Sequence, residues 1–185
     1  IGGNNTISGN IEDVPITIIT LYVSGSNTIS GNLNNLDSAC AFTILRVLGN
    51  NTITGDIAYL PSTLLTLDLR GANTVYGDLN DLVSTLQSIY LLGDNAIADY
   101  NPPSGGKTWY SLANSNAEFN FQPGSAGGLS SAEVDELIID LDNSTPTSRA
   151  TMRTIYITGN NAPRTSASDA AVQSLLTKKI IVETN

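Results

Sequence analysis

Histidine is absent from this chain, and cysteine, methionine and tryptophan occur once each. General acid-base work near neutral pH most often uses histidine, and a serine or cysteine nucleophile would here need some other base. The single Cys40 excludes an internal disulfide framework and reads as a small, semi-buried apolar residue. With no histidine and no second cysteine, the usual nitrogen and sulfur ligands of zinc and copper are missing, so any ion would be a hard one held by oxygen. Neither a cofactor nor a metal is expected. Positive charge is also scarce: 8 basic against 17 acidic residues give a formal net charge of -9 and a sequence pI of about 4.1. A nucleic-acid backbone or an anionic membrane repels such a chain on average, which sets both aside as main partners. No run approaches the roughly 20 apolar residues of a membrane span, so membrane insertion is not expected. No basic and apolar leader opens the chain, and a start at Ile1 reads as that of a processed or partial product.

What the sequence has in abundance is self-similarity. Aligning "NNTISGNI", "SNTISGNL", "NNTITGDI" and "ANTVYGDL" puts Thr6, Thr28, Thr52 and Thr74 in one column, at steps of 22, 24 and 22 residues. A decayed copy, "DNAIADY", follows 22 residues later with Ala96 in that place. Apolar columns keep the same register. One runs Ile7, Ile29, Ile53, Val75 and Ile97; others run Ile11, Leu33, Ile57 and Leu79, then Leu21, Leu45, Leu67 and Ile89, then Val23, Val47, Leu69 and Leu91. The longer step places Cys40 in an insertion, "DSACA".

As one unit this is L-x-x-L-x-L-x-G-x-N-x-I-x-G-x-L, which resembles a leucine-rich repeat of the plant-type subclass over residues 1–100. The resemblance implies an α/β solenoid of strand-dominated rungs with a helical C-terminal cap. Asn5, Asn27, Asn51, Asn73 and Asn95 would then point inward, their amides bonding backbone groups that each bend leaves unpaired. Gly9, Gly31, Gly55 and Gly77 fit places of bending or close packing, and Pro15 and Pro61 stiffen the return leg. Residues 101–128 break the period as a loop with one irregular rung, whose strand is "EFNF", and Trp109 and Tyr110 there either cover the core or form an exposed contact. Residues 129–185 read as a cap with two helices. Ser130 with Glu133 and Ser166 with Asp169 match capping boxes, with apolar faces at Val134, Leu137, Ile138 and Leu141, and at Val172, Leu175 and Leu176. The segment from "YITGNN" to the end is similar to the close of repeat tracts in bacterial surface proteins and phage tail or receptor-binding proteins. By register Ile1 is equivalent to Val23, so more repeats, a cap or a partner surface are expected on the N-terminal side.

Chemical motifs are thin. The carboxylate pairs Asp78 with Asp81 and Asp135 with Glu136 suit a glycosidase in residue type only; the first lies on a scaffold turn, and the helix acids read as a solvated face. "DLND" at 78–81 has spaced oxygens but lacks the rest of a calcium loop, and no phosphate loop occurs. The chain is therefore expected not to be an enzyme. Side chains between the apolar strand positions point out of the solenoid. Their middle column reads Tyr22, Arg46, Asp68, Tyr90, Asn120 and Tyr156, with Leu48, Arg70 and Leu92 beside it. Tyr and Arg are the types favoured at binding hot spots, and leucine-rich repeat proteins use this face for recognition. Stacked pairs at Thr6 and Ser8, Thr28 and Ser30, and Thr52 and Thr54 resemble the flat arrays of ice-binding solenoids, although Thr also suits any exposed strand. The expectation is a recognition or adhesion module outside a cell, on a bacterial surface or a virion, binding a protein or glycan through Tyr22, Arg46, Asp68, Arg70, Tyr90 and Tyr156. The alternatives are a structural spacer or self-assembling subunit and, last, an ice-binding protein.

Overall fold

Short alternating runs become strands, each ended within a few residues by a glycine, an asparagine or a 3-10 turn. In the computed structural model, which describes residues 8–109, 118–145, 149 and 151–185, they form two sheets, parallel throughout. Strands β1 (Ser8–Asn10), β3 (Thr28–Asn32), β5 (Thr52–Asp56) and β7 (Thr74–Tyr76) form a four-stranded sheet in that order. The other sheet has seven strands: β2 (Thr20–Val23), β4 (Ile44–Val47), β6 (Thr66–Gly71), β8 (Ser88–Gly93), β9 (Glu118–Gln122), β10 (Arg153–Ile157) and β11 (Ile180–Thr184). Helices α1 (Ser131–Asn143) and α2 (Asp169–Thr177) fall between its last strands. No helix among the described residues is long and apolar enough to cross a membrane.

The two sheets keep different time with the sequence. In the seven-stranded sheet Leu21 pairs with Leu45, Leu45 with Leu67 and Leu67 with Ile89, so each sequence column is a physical row. In the four-stranded sheet Thr28 pairs with Ser8, Thr52 with Ser30 and Thr74 with Thr54, two residues out of step at every strand. A two-residue slip keeps every side chain on its own face, because strand side chains alternate with period two. Ile53 and Val75 therefore stay buried while their cross-strand partners change.

The slip has local causes. Backbone N–H groups of the four-stranded sheet are taken by side chains: Asn32 N donates to Glu12 Oε2 (3.2 Å) and Asp56 N to Asn34 Oδ1 (2.7 Å). Gly55, at φ +108°, has a position at which an added Cβ would lie 2.3 Å from Asn32 Oδ1 and 2.7 Å from Leu33 N, so the close approach needs glycine. A Cβ added at Gly9 meets nothing within 4 Å among the described residues. After each of these strands a 3-10 turn buries one apolar residue: Ile11, Leu33, Ile57 and Leu79. Asn32, Asp56 and Asp78 cap three of those turns by accepting from the N–H two residues on.

The core lies between the sheets, with Leu45, Leu67 and Ile89 from one side, Ile53 and Val75 from the other, and Phe42, Leu64 and Leu86 from the connecting legs. Cys40 is buried against it. Trp109, 1 % exposed, covers its far end between Tyr100 and an edge-on Phe119; Tyr110 lies outside the described residues. Helix α1 starts at a complete capping box, in which Ser130 N donates to Glu133 Oε2 (2.8 Å) and Glu133 N to Ser130 Oγ (3.4 Å). It buries Val134, Leu137, Ile138 and Leu141.

Three sequence expectations are corrected here. Ser166 does not cap α2. Thr165 accepts from Ala167 N instead (3.1 Å), the helix begins later at Asp169, and Ser168 gives its hydroxyl to Asp135 (2.5 Å). Leu176 is exposed, because α2 packs through Ala171 and Leu175. The acids of α1 do not all face solvent: Asp135 and Asp140 are buried, the first bonded to Thr165 and Ser168, the second to Tyr100 Oη (2.7 Å) and Lys107 N (2.8 Å).

Candidate functional site

The strands of the seven-stranded sheet place one outward residue each in a single row. Tyr22 pairs with Arg46, Arg46 with Asp68, Asp68 with Tyr90, Tyr90 with Asn120, and Asn120 with Tyr156; Glu183 continues the row on β11. Both sequence neighbours of Arg46, Asp68 and Tyr90 are buried, so alternation turns these three away from the core. Arg70 pairs with Leu92, and Leu92 with Gln122, in an adjoining row. Tyr22 is 44 % exposed, whereas Arg46, Tyr90, Asn120 and Tyr156 are half-buried.

Asp68 corrects the expectation that every member of the row offers a contact. It is 3 % exposed, because Arg70 folds over it with a two-pronged ion pair, Nε to Oδ1 at 2.6 Å and Nη2 to Oδ2 at 2.9 Å. The same guanidinium carbon sits 4.4 Å from the centre of the Tyr90 ring. Asp68 thus acts as a positioning residue that clamps Arg70 on Tyr90. Burial, and then the Glu118 carboxylate beside it, push the Tyr90 phenol up to about 12 against the pull of Arg70.

Beyond Tyr90 the row dips. The shorter Asn120 stands between Tyr90 and Tyr156, and Glu118, Met152, Arg153 and Thr154 complete the wall of a concavity of about 230 Å³. Asn120 accepts from Gln122 Nε2 (2.8 Å), which leaves its NH2 group as a donor. The Nε of Arg153 is covered and meets no acceptor among the described residues, and so is that of Arg46. Glu118, Arg153 and Thr154 were missed by sequence reading. For Glu118 and Thr154 the signal was their place in outward alternation on β9 and β10, hidden by the irregular segment between β8 and β9; Arg153, in phase with the buried Ile155 and Ile157, carried none.

The buried asparagines hold this face from behind. Asn27, Asn51 and Asn73 each donate to the carbonyl three residues earlier, at 2.6, 2.7 and 2.9 Å. Asn51 Oδ1 accepts from Ile29 N (2.6 Å), and Asn73 joins three segments by accepting from Ile53 N (2.8 Å) and donating to Val47 O (3.2 Å). Asn161 repeats the arrangement, donating to Thr158 O (2.8 Å) and accepting from Leu129 N (2.9 Å), so the geometry resumes after α1. Asn95 departs from it: its amide donates to Gln122 O (3.4 Å), and its Oδ1 is buried with no donor among the described residues. Asn5 lies outside the described residues.

The remaining candidates are engaged in the scaffold. Asp78 caps its turn and receives Asn101 N and Nδ2 (2.8 Å for the latter). Burial tends to raise the Asp135 pKa, but hydrogen bonds from Ser168 and Thr165 outweigh it and hold the carboxyl below the usual carboxylate range. Among the described residues no group of three or more Cys, Asp or Glu could hold a metal ion. The Thr pairs expected to stack do not: in the slipped sheet the rows read Asn10–Ser30–Thr52 and Asn32–Thr54–Thr74, and Ser30 Oγ donates to Asn10 (2.9 Å). Thr6 lies outside the described residues. Comparison with protein families, with curated proteins and with solved structures finds no match in any of the three.

Proposed function

We propose that this chain is a leucine-rich repeat solenoid with a helical C-terminal cap, serving as a non-enzymatic recognition or adhesion module outside a cell, on a bacterial surface or a virion. It binds a protein or glycan through the outward face of its seven-stranded sheet. The observation that carries this reading is the row itself. Six strands set Tyr22, Arg46, Asp68, Tyr90, Asn120 and Tyr156 side by side, Asp68 buried beneath Arg70, and the row is chemically varied where the buried columns behind it repeat. A face whose scaffold is uniform and whose outward residues differ suits specific contact, and Tyr and Arg supply large, desolvatable anchors. Engagement of Asp78, Asp135 and Asp140 in structural hydrogen bonds supports a non-catalytic role. The test is binding of the labelled chain to intact bacterial cells and to an oligosaccharide panel. Saturable binding that weakens on Tyr90→Ala and Tyr156→Ala supports the reading; saturable binding indifferent to both contradicts it.

Self-assembly is favoured by a different observation. Ile16 and Ile19 are 46 % and 58 % exposed beside β2, whose outer edge has no strand partner among the described residues. Sedimentation across a concentration series separates the two: concentration-dependent growth without a saturable ligand supports the spacer or subunit.

A further inference from the structure

Along the recognition row, size and chemistry change most sharply at Asn120. Tyr90 and Tyr156 stand on strands two spacings apart, roughly 9–10 Å, and the shorter amide forms a floor between them. We propose that this notch is a saccharide subsite that takes one neutral sugar ring of a surface glycan. The two tyrosine rings flank the sugar's C–H faces, while Asn120, Arg153, Thr154 and Glu118 meet its hydroxyls. The inference rests on the recognition reading above and narrows it from protein or glycan to glycan.

Four properties of the notch fit a sugar. Hydroxyls need donors and acceptors within a few ångströms of one another, and here an amide NH2 and a guanidinium face a carboxylate and a threonine hydroxyl. Aromatic faces carry partial negative charge, which attracts the polarised C–H groups of a pyranose. The space, about 230 Å³, is below the roughly 300–1,000 Å³ of drug-sized sites, so it holds one ring and leaves the rest of a chain lying along the sheet. Arg153 and Glu118 balance in charge, and the net charge of -9 disfavours a polyanionic glycan. The site is also held ready. Arg70 covers one side of Tyr90 at 4.4 Å, Gln122 bonds Asn120 at 2.8 Å, and both lie on hydrogen-bonded strands, so little side-chain freedom is left to lose on binding.

The experiment uses the full chain against immobilised neutral oligosaccharides, matched acidic ones, and intact cells before and after periodate oxidation. Asn120→Ala and Tyr156→Ala are expected to weaken neutral-sugar binding about tenfold or more, with Thr28→Ala, exposed on the four-stranded sheet, changing it less than about twofold. Urea midpoints near wild type show that the variants fold. Preference for acidic sugars overturns the neutral-ring assignment. Cell binding that survives periodate yet is lost on Tyr90→Ala or Tyr156→Ala overturns the sugar subsite and leaves the recognition face standing, with a protein as its ligand. Binding that no row substitution alters overturns both.

Discussion

The seven-stranded and four-stranded sheets are written by the same repeat, yet only one of them turns sequence columns into surface rows. In the first, Arg46 lies beside Asp68 and Asp68 beside Tyr90, so one outward residue per strand sets one element of a continuous surface. In the second, the two-residue slip sets Thr28 against Ser8 and Thr52 against Ser30, and the polar side chains at its far end are engaged in capping turns or bonding the next strand's backbone. The difference favours the first sheet as the proposed recognition face. Variation in the first sheet alters the surface and spares the fold, whereas variation in the second meets turn caps and close glycine contacts.

The comparison can be broken by substitution, and the largest effect belongs to the asparagines both sheets share. Asn73→Ala removes a buried amide that serves three backbone groups, each costing on the order of 1–3 kcal/mol when left unmet. A loss of about 3 kcal/mol or more is expected in urea unfolding. Gly55→Ala comes next, at about 2 kcal/mol, from strain at φ +108° and the contact with Asn32 and Leu33. Gly9→Ala, with nothing within 4 Å among the described residues, should fall within about 0.5 kcal/mol. Equal effects of the two glycine changes would contradict the account of the slip.

A smaller, pH-dependent effect is expected on the proposed recognition face. The Tyr90 phenol is raised from its ordinary 10.0 to about 12, so the folded state holds this proton more tightly. Its contribution to stability is complete below about pH 10 and is lost as pH rises through 12. Tyr90→Phe should therefore flatten, in part, the fall of the urea midpoint between pH 10 and 12; Tyr100, also raised by burial and Asp140, keeps some of the slope. The smallest effect is expected at the slipped sheet's exposed positions. Thr28→Ala with Thr52→Ala should change stability by less than about 0.5 kcal/mol per site and leave thermal hysteresis absent, as it is expected to be in the parent.

How much of this was legible depended on period. Apolar columns every 22–24 residues located the strands from β1 to β8, and alternation placed Tyr22, Arg46, Asp68 and Tyr90 in one outward column; Asn120 and Tyr156 joined it from the "EFNF" and "YITGNN" segments, outside the period. The slip was invisible, because moving a strand by two residues leaves inward and outward unchanged; it shows only in which N–H groups Glu12, Asn34 and Asn51 accept. The burial of Asp68 was hidden for a similar reason, since an outward position says nothing of a long arginine two residues on. Arg153 and Glu118 come together only when β10 docks on β9, across an intervening helix that no repeat column spans.

The central claim, that recognition belongs to the seven-stranded sheet, is tested most directly by comparing two double variants in cell and oligosaccharide binding. Tyr90→Ala with Tyr156→Ala is expected to reduce affinity at least about tenfold, while Thr28→Ala with Thr52→Ala leaves it within about twofold. The reverse order, or equal losses from both, would contradict it.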